Sequence, residues 1–433
     1  MAHRLTIGSL LLVCLATSLP AQQRVVTLAD AIRRSERVQP DVIRAAGQVR
    51  TAGAQRRTAW GSYLPRLSAS SSASDFFSEG ASRIDPVTGL LTSGNSSNRS
   101  LSTSLSASID LFTGFRRGAE MSAARANQTA ADATFIDARF QQALTTTNQF
   151  LDALAAAQLV SVRETSVRRA EEQLKVSVAK LRTGSATRSD SLRSLVTLGN
   201  ARLDLLTTRT DLAAAEANLA RLIGETGRVQ AADDSAFYAV LPPLDTQALR
   251  GEAESRSPRV QSAAAGASAA RANARASRSS YWPSLTLSAN TGWNGSRVND
   301  YDLLNQRQVS LALRWNLFDG FDRELAVAQR EADVDVAEAS AADARLGVQA
   351  DLELRLAELD AARTRIEITR TSVVAAREDL RVQQERYRLG ASTIVDVLTS
   401  QEALNQAEVD VVNARFDYLR AKAQLEALIG RNL

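Results

Sequence analysis

Four runs of the chain alternate apolar and polar residues with a period of two. In residues 98–112 leucine, alanine and isoleucine fall on the odd positions, and serine falls on most of the even ones. The other three runs are residues 66–77, 284–293 and 308–317. A period of two predicts β-strands with one apolar face. We therefore expect four amphipathic strands of about 9–11 residues each.

Between the strands, the chain carries very long stretches with helical periodicity. Residues 119–183 contain neither glycine nor proline, and residues 322–389 contain only Gly347. In the second stretch, one set of positions recurs in alternating steps of three and four, which predicts a supercoiled helical pair. The set is Leu352, Arg355, Leu359, Ala362, Ile366, Thr369, Val373, Ala376, Leu380, Gln383 and Tyr387. Further helices are predicted at 27–37, 40–62, 187–223, 246–254, 258–280 and 393–429. Thr27 can cap the first of them.

The two halves of the chain repeat each other. Leu-Phe-Thr-Gly-Phe at 111–115 returns as Leu-Phe-Asp-Gly-Phe at 317–321, and Leu-Ile-Gly at 222–224 returns at 428–430. Upstream, Pro40 corresponds to Pro258. Such self-similarity is the signature of one structural unit used twice. We predict a first repeat at 22–224 and a second at 258–433, joined by an equatorial linker at 225–257.

The first residues have the pattern of an export signal. Arg4 precedes an apolar run that is too short to span a bilayer, and small residues lead to Ala21. We expect residues 1–21 to be removed. Lipidation of Cys14 is the alternative, although Val13 before it is unfavourable.

His3 and Cys14 are the chain's only histidine and cysteine, so the exported protein has neither. This excludes nucleophile–histidine catalysis and His or Cys metal sites. We expect no enzyme activity, no cofactor and no metal. Nearly all basic residues are arginine, interleaved with acidic residues as on a solvated helix face, so nucleic-acid binding is not expected.

Aromatic residues flank the alternating runs, with Trp60, Tyr63 and Phe112 near the first pair and Trp282 and Trp315 near the second. Apolar strands between aromatic girdles are typical of lipid-facing barrels. A soluble β-layer is the alternative. Four strands cannot close a barrel, and lipid does not tolerate an open edge, so several chains must share one.

Each long helix is followed by a short turn that contains a glycine, Gly184 in the first repeat and Gly390 in the second. Glycine suits a helix C-terminus. Thr187 can cap the next helix, and Asp190 and Asp396 lie in the first turn, where the helix dipole favours negative charge. Capping alone would therefore explain an acidic residue here.

The segment Tyr-Arg-Leu-Gly-Ala-Ser-Thr-Ile-Val-Asp-Val-Leu at 387–398, with Asn-Ala-Arg-Phe-Asp-Tyr at 413–418, resembles the outer-membrane efflux protein family, the TolC-like channels. The resemblance covers essentially the whole exported chain. It implies a mainly α protein with a β-barrel part: long antiparallel coiled-coil helices form a periplasmic α-barrel, and four strands per chain contribute to a 12-stranded barrel shared by a homotrimer. A closed tip would dock on a periplasmic adaptor connected to an inner-membrane transporter.

By position, the resemblance makes Asp190 and Tyr387 members of a latch that holds the tip shut, and Asp396 a carboxylate of the entrance ring. Two positions depart from the family pattern. Ser392 stands where an arginine is found, and Thr399 stands where a second ring acid is found. A weaker latch and a less cation-selective entrance are expected. The strand-to-helix corners fall at Gly114 and Gly320.

Together these features predict a passive exit duct in the outer membrane, with most of its mass in the periplasm, serving drug or small-molecule efflux or type I protein secretion. The alternative is a structural trimeric coiled-coil surface protein without transport activity.

Overall fold

The computed structural model describes residues 24–92, 96–234, 245–295, 303–431 and 433. The expected export signal, Cys14 and the Pro242-Pro243 pair lie outside these residues. The described elements, in chain order, are β1 (Arg24–Val26), α1 (Leu28–Val38), α2 (Pro40–Gly61), β2 (Arg66–Ser78), β3 (Arg83–Ile84), β4 (Leu91–Thr92), β5 (Ser96–Phe112), α3 (Arg116–Arg182), α4 (Arg188–Leu222), β6 (Val229–Ala231), α5 (Thr246–Arg256), α6 (Pro258–Ser277), a 3₁₀ turn (Arg278–Tyr281), β7 (Ser284–Gly295), β8 (Leu304–Arg314), α7 (Asp322–Arg388) and α8 (Ile394–Ile429).

The chain divides into two compact units, each assembled from three segments. The turn unit comprises residues 1–39, 142–242 and 357–424, and the sheet unit comprises 40–141, 243–356 and 425–433. The first contains both glycine turns, and the second contains the four long strands. The repeat boundaries proposed from the sequence stay a prediction.

The long helices are confirmed. α3 and α7 have 67 residues each, so each is roughly 100 Å long. α4 and α8 have 35 and 36 residues. The predicted caps are also present: Thr27 caps α1, and its side chain accepts a hydrogen bond from the Asp30 amide. Among the described helices, none combines the length and the apolar character needed to cross a membrane.

In the turn unit, the helices pack along the seam that the heptad pattern predicts. The seam positions of α7 within this unit are all buried or half-buried: Leu359, Ala362, Ile366, Thr369, Val373, Ala376, Leu380, Gln383 and Tyr387. Val176 of α3 and residues of α8 pack against the end of this seam. Arg169 of α3 pairs with Glu408 of α8 at 2.6 Å, where both side chains are largely buried.

The turn unit also contains a pairing that the sequence did not predict. β1 and β6 form a two-stranded parallel sheet in which Val25 lies opposite Gln230. Val26 and Val229 are buried there. Each strand is only three residues long, which is too short to show a period.

In the sheet unit, the four long strands form an antiparallel sheet in the order β2-β5-β7-β8. The register places serine opposite serine across β2 and β5, with hydroxyl oxygens 2.6–2.8 Å apart in four successive pairs: Ser68–Ser106, Ser70–Ser104, Ser72–Ser102 and Ser74–Ser100. The sheet therefore has one hydroxyl face and one apolar face, as the alternation predicts.

The predicted strand lengths of about 9–11 residues are too short for three of the four strands. β2, β5 and β7 have 13, 17 and 12 residues, whereas β8 has 11, within the predicted range. The ladder between β7 and β8 continues to the pair Asn294–Leu304, where the apolar alternation has stopped. Backbone groups pair regardless of side-chain pattern, so strand ends extended into the expected loops. The 78–97 loop likewise contains the short β3–β4 pair.

β8 spans Leu304–Arg314 and not the predicted 308–317. The reason lies in the next turn of chain. The Arg323 guanidinium donates hydrogen bonds to the carbonyl oxygens of Asn316 and Leu317, at 2.9 and 3.2 Å. A side chain thus satisfies these carbonyls instead of the neighbouring strand.

Candidate functional site

The first hairpin turn joins α3 to α4. Gly184 adopts a φ of 74°, a left-handed conformation that favours glycine. The Ser185 amide donates to the Lys180 carbonyl at 2.8 Å, which closes the end of α3. Thr187 and Asp190 then form a capping box: the Thr187 amide donates to the Asp190 carboxylate at 2.9 Å, and the Asp190 amide donates to the Thr187 hydroxyl at 3.3 Å.

The second turn joins α7 to α8 in the same way. Gly390 has a φ of 81°. The Thr393 amide donates to Asp396 Oδ2 at 2.9 Å, and the Thr393 and Ser392 hydroxyls donate to the same oxygen at 2.8 and 3.0 Å. These hydrogen bonds hold the pKa of the Asp396 carboxyl below its ordinary value, and the bond from the Thr393 amide has the largest effect.

Ser392 therefore has a role within its own turn. Its hydroxyl lies 3.0 Å from the side-chain oxygen of Gln383 on α7 as well as from Asp396. It links the last turn of α7 to the first turn of α8. The structure thus places Asp190 and Asp396 as helix caps, the role that capping chemistry alone predicts. Asp396 remains exposed, so one carboxylate oxygen stays available to solvent.

Tyr387 is buried, with 6% of its surface exposed. Its ring lies 4.4 Å from the Lys180 ammonium, which also donates to the Tyr387 carbonyl. Leu380, Ile394 and Val397 complete its surroundings. Burial raises the pKa of the Tyr387 phenol; Ser177 on α3 lowers it, and the charge of Asp190 raises it further. Even so, among the described residues the phenol oxygen has no partner in hydrogen-bond geometry.

Thr399 lies apart from both turns' hydrogen bonds. It is exposed and lines a groove of about 1160 Å³ between the N-terminal parts of α4 and α8. Leu192 and Val196 of α4 form the apolar side of the groove, with 50% and 62% of their surface exposed.

The strand-to-helix corners belong to the sheet unit. We call residues 111–115 the first corner and 317–321 the second corner. Gly114 and Gly320 have φ of 61° and 71°, and the phenylalanines that follow, Phe115 and Phe321, are also left-handed, with φ of 65° and 73°. Two successive left-handed residues turn the chain sharply from strand to helix.

An arginine holds each corner. The Arg117 guanidinium lies 5.1 Å from the Tyr63 ring and donates to the carbonyls of Asp110 and Ser62. The Arg323 guanidinium lies 5.1 Å from the Tyr281 ring. Neither arginine was predicted from the sequence, and Lys180 was not predicted either. The arginines are 206 residues apart, the spacing of the corners, so the repeat itself was the signal that could have found them.

One family model matches most of the chain. The model of the outer membrane efflux protein family covers residues 31–225 and 249–431. The pyoverdine export outer membrane protein OpmQ of Pseudomonas aeruginosa is 26% identical over 399 residues, covering 90% of this chain and 82% of that protein. The outer membrane protein TolC of Salmonella enteritidis is 24% identical over 296 residues, covering 66% of this chain and 60% of that protein.

Among solved structures, the fold is similar to that of the outer membrane protein VceC from Vibrio cholerae. The TM-score is 0.76 at 18% sequence identity, and the match covers 94% of this chain and 96% of that one. At this identity the likeness concerns the fold.

Proposed function

This chain belongs to the outer membrane efflux protein family and is an exit duct of the outer membrane with a large periplasmic part, and we propose that it works as a homotrimer with a periplasmic adaptor protein and an inner-membrane transporter. The predicted family is thereby confirmed. The trimer, the adaptor, the transporter, the repeat boundaries and the roles of individual residues at the turns are our proposals.

The two unpaired edges of the four-stranded sheet support the proposal of a shared barrel. β2 and β8 are its edges. Its apolar face exposes large side chains, among them Leu67, Val309, Leu311 and Leu313 with 62–74% of their surface accessible. An apolar face favours lipid, but an unpaired strand edge in lipid leaves backbone groups unsatisfied. Pairing β8 of one copy with β2 of the next, three times, gives a closed barrel of about 12 strands with the hydroxyl face inside.

The second corner supports the same assembly. At the first corner, a Cβ on Gly114 would lie 2.5 Å from Trp282 Cβ, whereas at Gly320 no described atom lies within 4 Å of the corresponding position. Trp282 precedes β7, the neighbour of β5. If the next copy's β2 is the neighbour of β8, the residues before β2 cover Gly320. By the repeat, Leu64 then takes the place of Trp282.

A cross-linking experiment tests the trimer at this contact. The variant carries Leu64→Cys together with Phe321→Cys, and the one natural cysteine, Cys14, lies in the expected export signal. Outer membranes that contain this variant are treated with a short bis-maleimide. We expect covalent dimers and trimers on a denaturing gel. The matched control is Phe115→Cys with Trp282→Cys, whose rings lie 5.7 Å apart within one chain, and which should give a cross-linked monomer only. Monomer alone from both pairs contradicts the proposed assembly.

We propose that Asp396 from three copies forms the ring at the periplasmic entrance, and that Asp190 and Tyr387 hold the entrance closed. The exposure of the Asp396 carboxylate and its lowered pKa support a charged group at neutral pH. Asp396→Asn is expected to weaken block by trivalent cations in single-channel recordings. Asp30→Asn, which removes the same kind of charge from the first turn of α1, is the control and should leave the block unchanged. Unchanged block in both variants removes Asp396 from the ring.

The groove between α4 and α8 is the surface that we propose for the adaptor. Its exposed Leu192 and Val196 are suited to an apolar helical partner. Leu192→Asp should abolish adaptor co-purification while the trimer persists. Loss of the trimer instead would assign this groove to contact between copies.

The substrate class is open between small molecules and proteins. Deleting the gene and measuring both drug susceptibility and the secreted proteins separates the two. Sensitivity without a secretion defect indicates efflux, and the reverse indicates type I secretion.

A further inference from the structure

The hydroxyl face of the four-stranded sheet is almost free of charge. Because side chains alternate, this face consists of Ser106, Ser108 and Ser288, of every second residue from them along their strands, and of the ladder partners of these residues. Apart from Gly292, its members in the central part of the sheet are hydroxyl or amide residues: Ser68, Ser70, Ser72, Ser100, Ser102, Ser104, Ser106, Ser108, Ser288, Asn290, Gln308 and Ser310. A solute passing this face meets neutral polar groups.

Charged side chains are found at one end of this face, next to the corners. Arg66 is the first residue of β2 and lies opposite Ser108. Arg314 is the last residue of β8 and lies opposite Ser284. Asp110 of β5 is on the same face, where its carboxylate accepts a hydrogen bond from the Thr286 hydroxyl at 2.8 Å. The band formed by Arg66, Arg314 and Asp110 has two positive charges and one negative charge per chain.

The two arginines of this band are unneutralised. Both are exposed, and within the described part of the chain neither belongs to an ion pair or donates a side-chain hydrogen bond. Arg99, by contrast, is on the apolar face near the other end of the sheet and pairs with Asp75 at 2.9 Å. Arg117 and Arg323 are used by the corners. Arg66 and Arg314 therefore have no structural task in a single chain.

We propose that Arg66 and Arg314 form an anion-binding band inside the barrel at its periplasmic end, with multivalent anions that carry carboxylate or phosphate groups as ligands. The proposal rests on the shared barrel of the proposed function. When β8 pairs with β2 of the next copy, Arg314 and Arg66 lie on adjacent strands with their side chains on the same, water-facing side. Three copies bring about six guanidinium groups and three carboxylates to the same end of the channel.

Two physical effects make this arrangement selective. A guanidinium binds carboxylate or phosphate through two parallel hydrogen bonds. A narrow aqueous passage with low-dielectric walls concentrates the field of its charges, so anions accumulate at the band. Because the rest of the hydroxyl face is neutral, this band decides how the barrel discriminates among charged solutes.

The test uses the full-length protein in planar bilayers of uncharged lipid, with inositol hexakisphosphate added on the barrel side. Wild-type channels are expected to show concentration-dependent block. In Arg66→Gln/Arg314→Gln the half-blocking concentration should rise about tenfold or more, since charged hydrogen bonds are lost. The reversal potential in a salt gradient should shift toward cation preference. Arg99→Gln, which removes a charge from the opposite face, should change neither quantity.

Channels that conduct normally but are blocked equally in wild type and in the double variant overturn the anion band and leave the exit duct intact. Absence of channels from wild-type protein contradicts the proposed function instead. If the double variant fails to assemble, each single variant decides: an intermediate rise in the half-blocking concentration supports the band, and an unchanged value refutes it.

Discussion

The two corners of this protein have nearly the same sequence and the same backbone, yet only one of them is covered. Gly114 is buried and Gly320 is exposed. Trp282 and the Ser279 carbonyl lie against Gly114, whereas nothing described lies within 4 Å of the position that a Cβ on Gly320 would take. A duplicated sequence has therefore produced two unequal surfaces. The physical reason is topological: the first corner lies between strands of its own chain, and the second lies at an edge.

The largest effect is expected from adding one methyl group to each corner. Gly114→Ala places a Cβ in contact with Trp282 and retains the left-handed φ, and it should destabilise the protein by roughly 2–5 kcal/mol from backbone strain and overpacking together. Gly320→Ala in an isolated chain should cost only about 1–2 kcal/mol for the left-handed conformation. Denaturant unfolding in detergent measures both.

Measured in the assembled protein, the same pair of variants tests whether a neighbouring copy covers the second corner. If a neighbouring copy covers the second corner, Gly320→Ala should become as harmful as Gly114→Ala and should also reduce trimer yield. A small effect of Gly320→Ala in the assembled protein would mean that the second corner stays open.

The arginines of the corners should have the next largest effect. Arg117→Ala and Arg323→Ala each remove hydrogen bonds from a charged donor to backbone carbonyls and a cation–π contact, so each should cost about 1.5–3 kcal/mol. Arg323 also pairs with Asp319 at 2.9 Å, where the first corner has Thr113. Replacement by lysine should restore little of the lost stability, because a single ammonium does not reproduce the several N–H donors of the planar guanidinium. Full rescue by lysine would show that charge alone matters.

Substitutions of the capping threonines in the two turns should have smaller effects, and the two effects should be similar because both turns are capped in the same way. Thr187→Ala and Thr393→Ala should each destabilise by about 0.5–2 kcal/mol, visible as faster amide exchange in the first turn of α4 or α8. A larger loss at one turn would show that its cap also holds neighbouring helices.

Acid should loosen the second turn through Asp396. Its pKa is lowered in the folded protein, so its stabilising contribution is present above the ordinary carboxyl pKa of 3.8 and is lost as pH falls through the folded value, below 3.8. Amide exchange at residues 393–396 should therefore accelerate in that acidic window. Asp396→Asn should lose this pH dependence. A variant that keeps it would place the titration at another group.

The smallest effect on stability is expected at Tyr387, whose counterpart in the first turn is Leu181. Because its buried hydroxyl has no partner in the described chain, Tyr387→Phe should change stability by less than about 1 kcal/mol. As a member of the proposed latch, the hydroxyl would find its partner only in the trimer. The variant should then raise single-channel conductance without lowering stability, and unchanged conductance would limit Tyr387 to packing.

Much of the fold could be predicted from local pattern. Thr27 and Thr187 were identified as caps because capping requires a particular side chain at a fixed distance along one helix. The seam from Leu359 to Tyr387 followed from its spacing. The β1–β6 pair could not be predicted, because its two strands are far apart in the chain. The end of β8 could not be predicted either, because it depends on the Arg323 side chain donating to the carbonyls of Asn316 and Leu317. The candidate site was partly predicted: the turns and corners were located, but Lys180, Arg117 and Arg323 were not.

By itself, the sequence determined the periodic elements, their caps and their duplication, since each depends on residues a few positions apart or on direct repetition. Only the tertiary structure decided that Tyr387 is buried beneath Lys180 and that one corner is covered while the other is open. These properties depend on contacts between residues distant in sequence, and the repeat made the two corners alike without deciding which would have a neighbour.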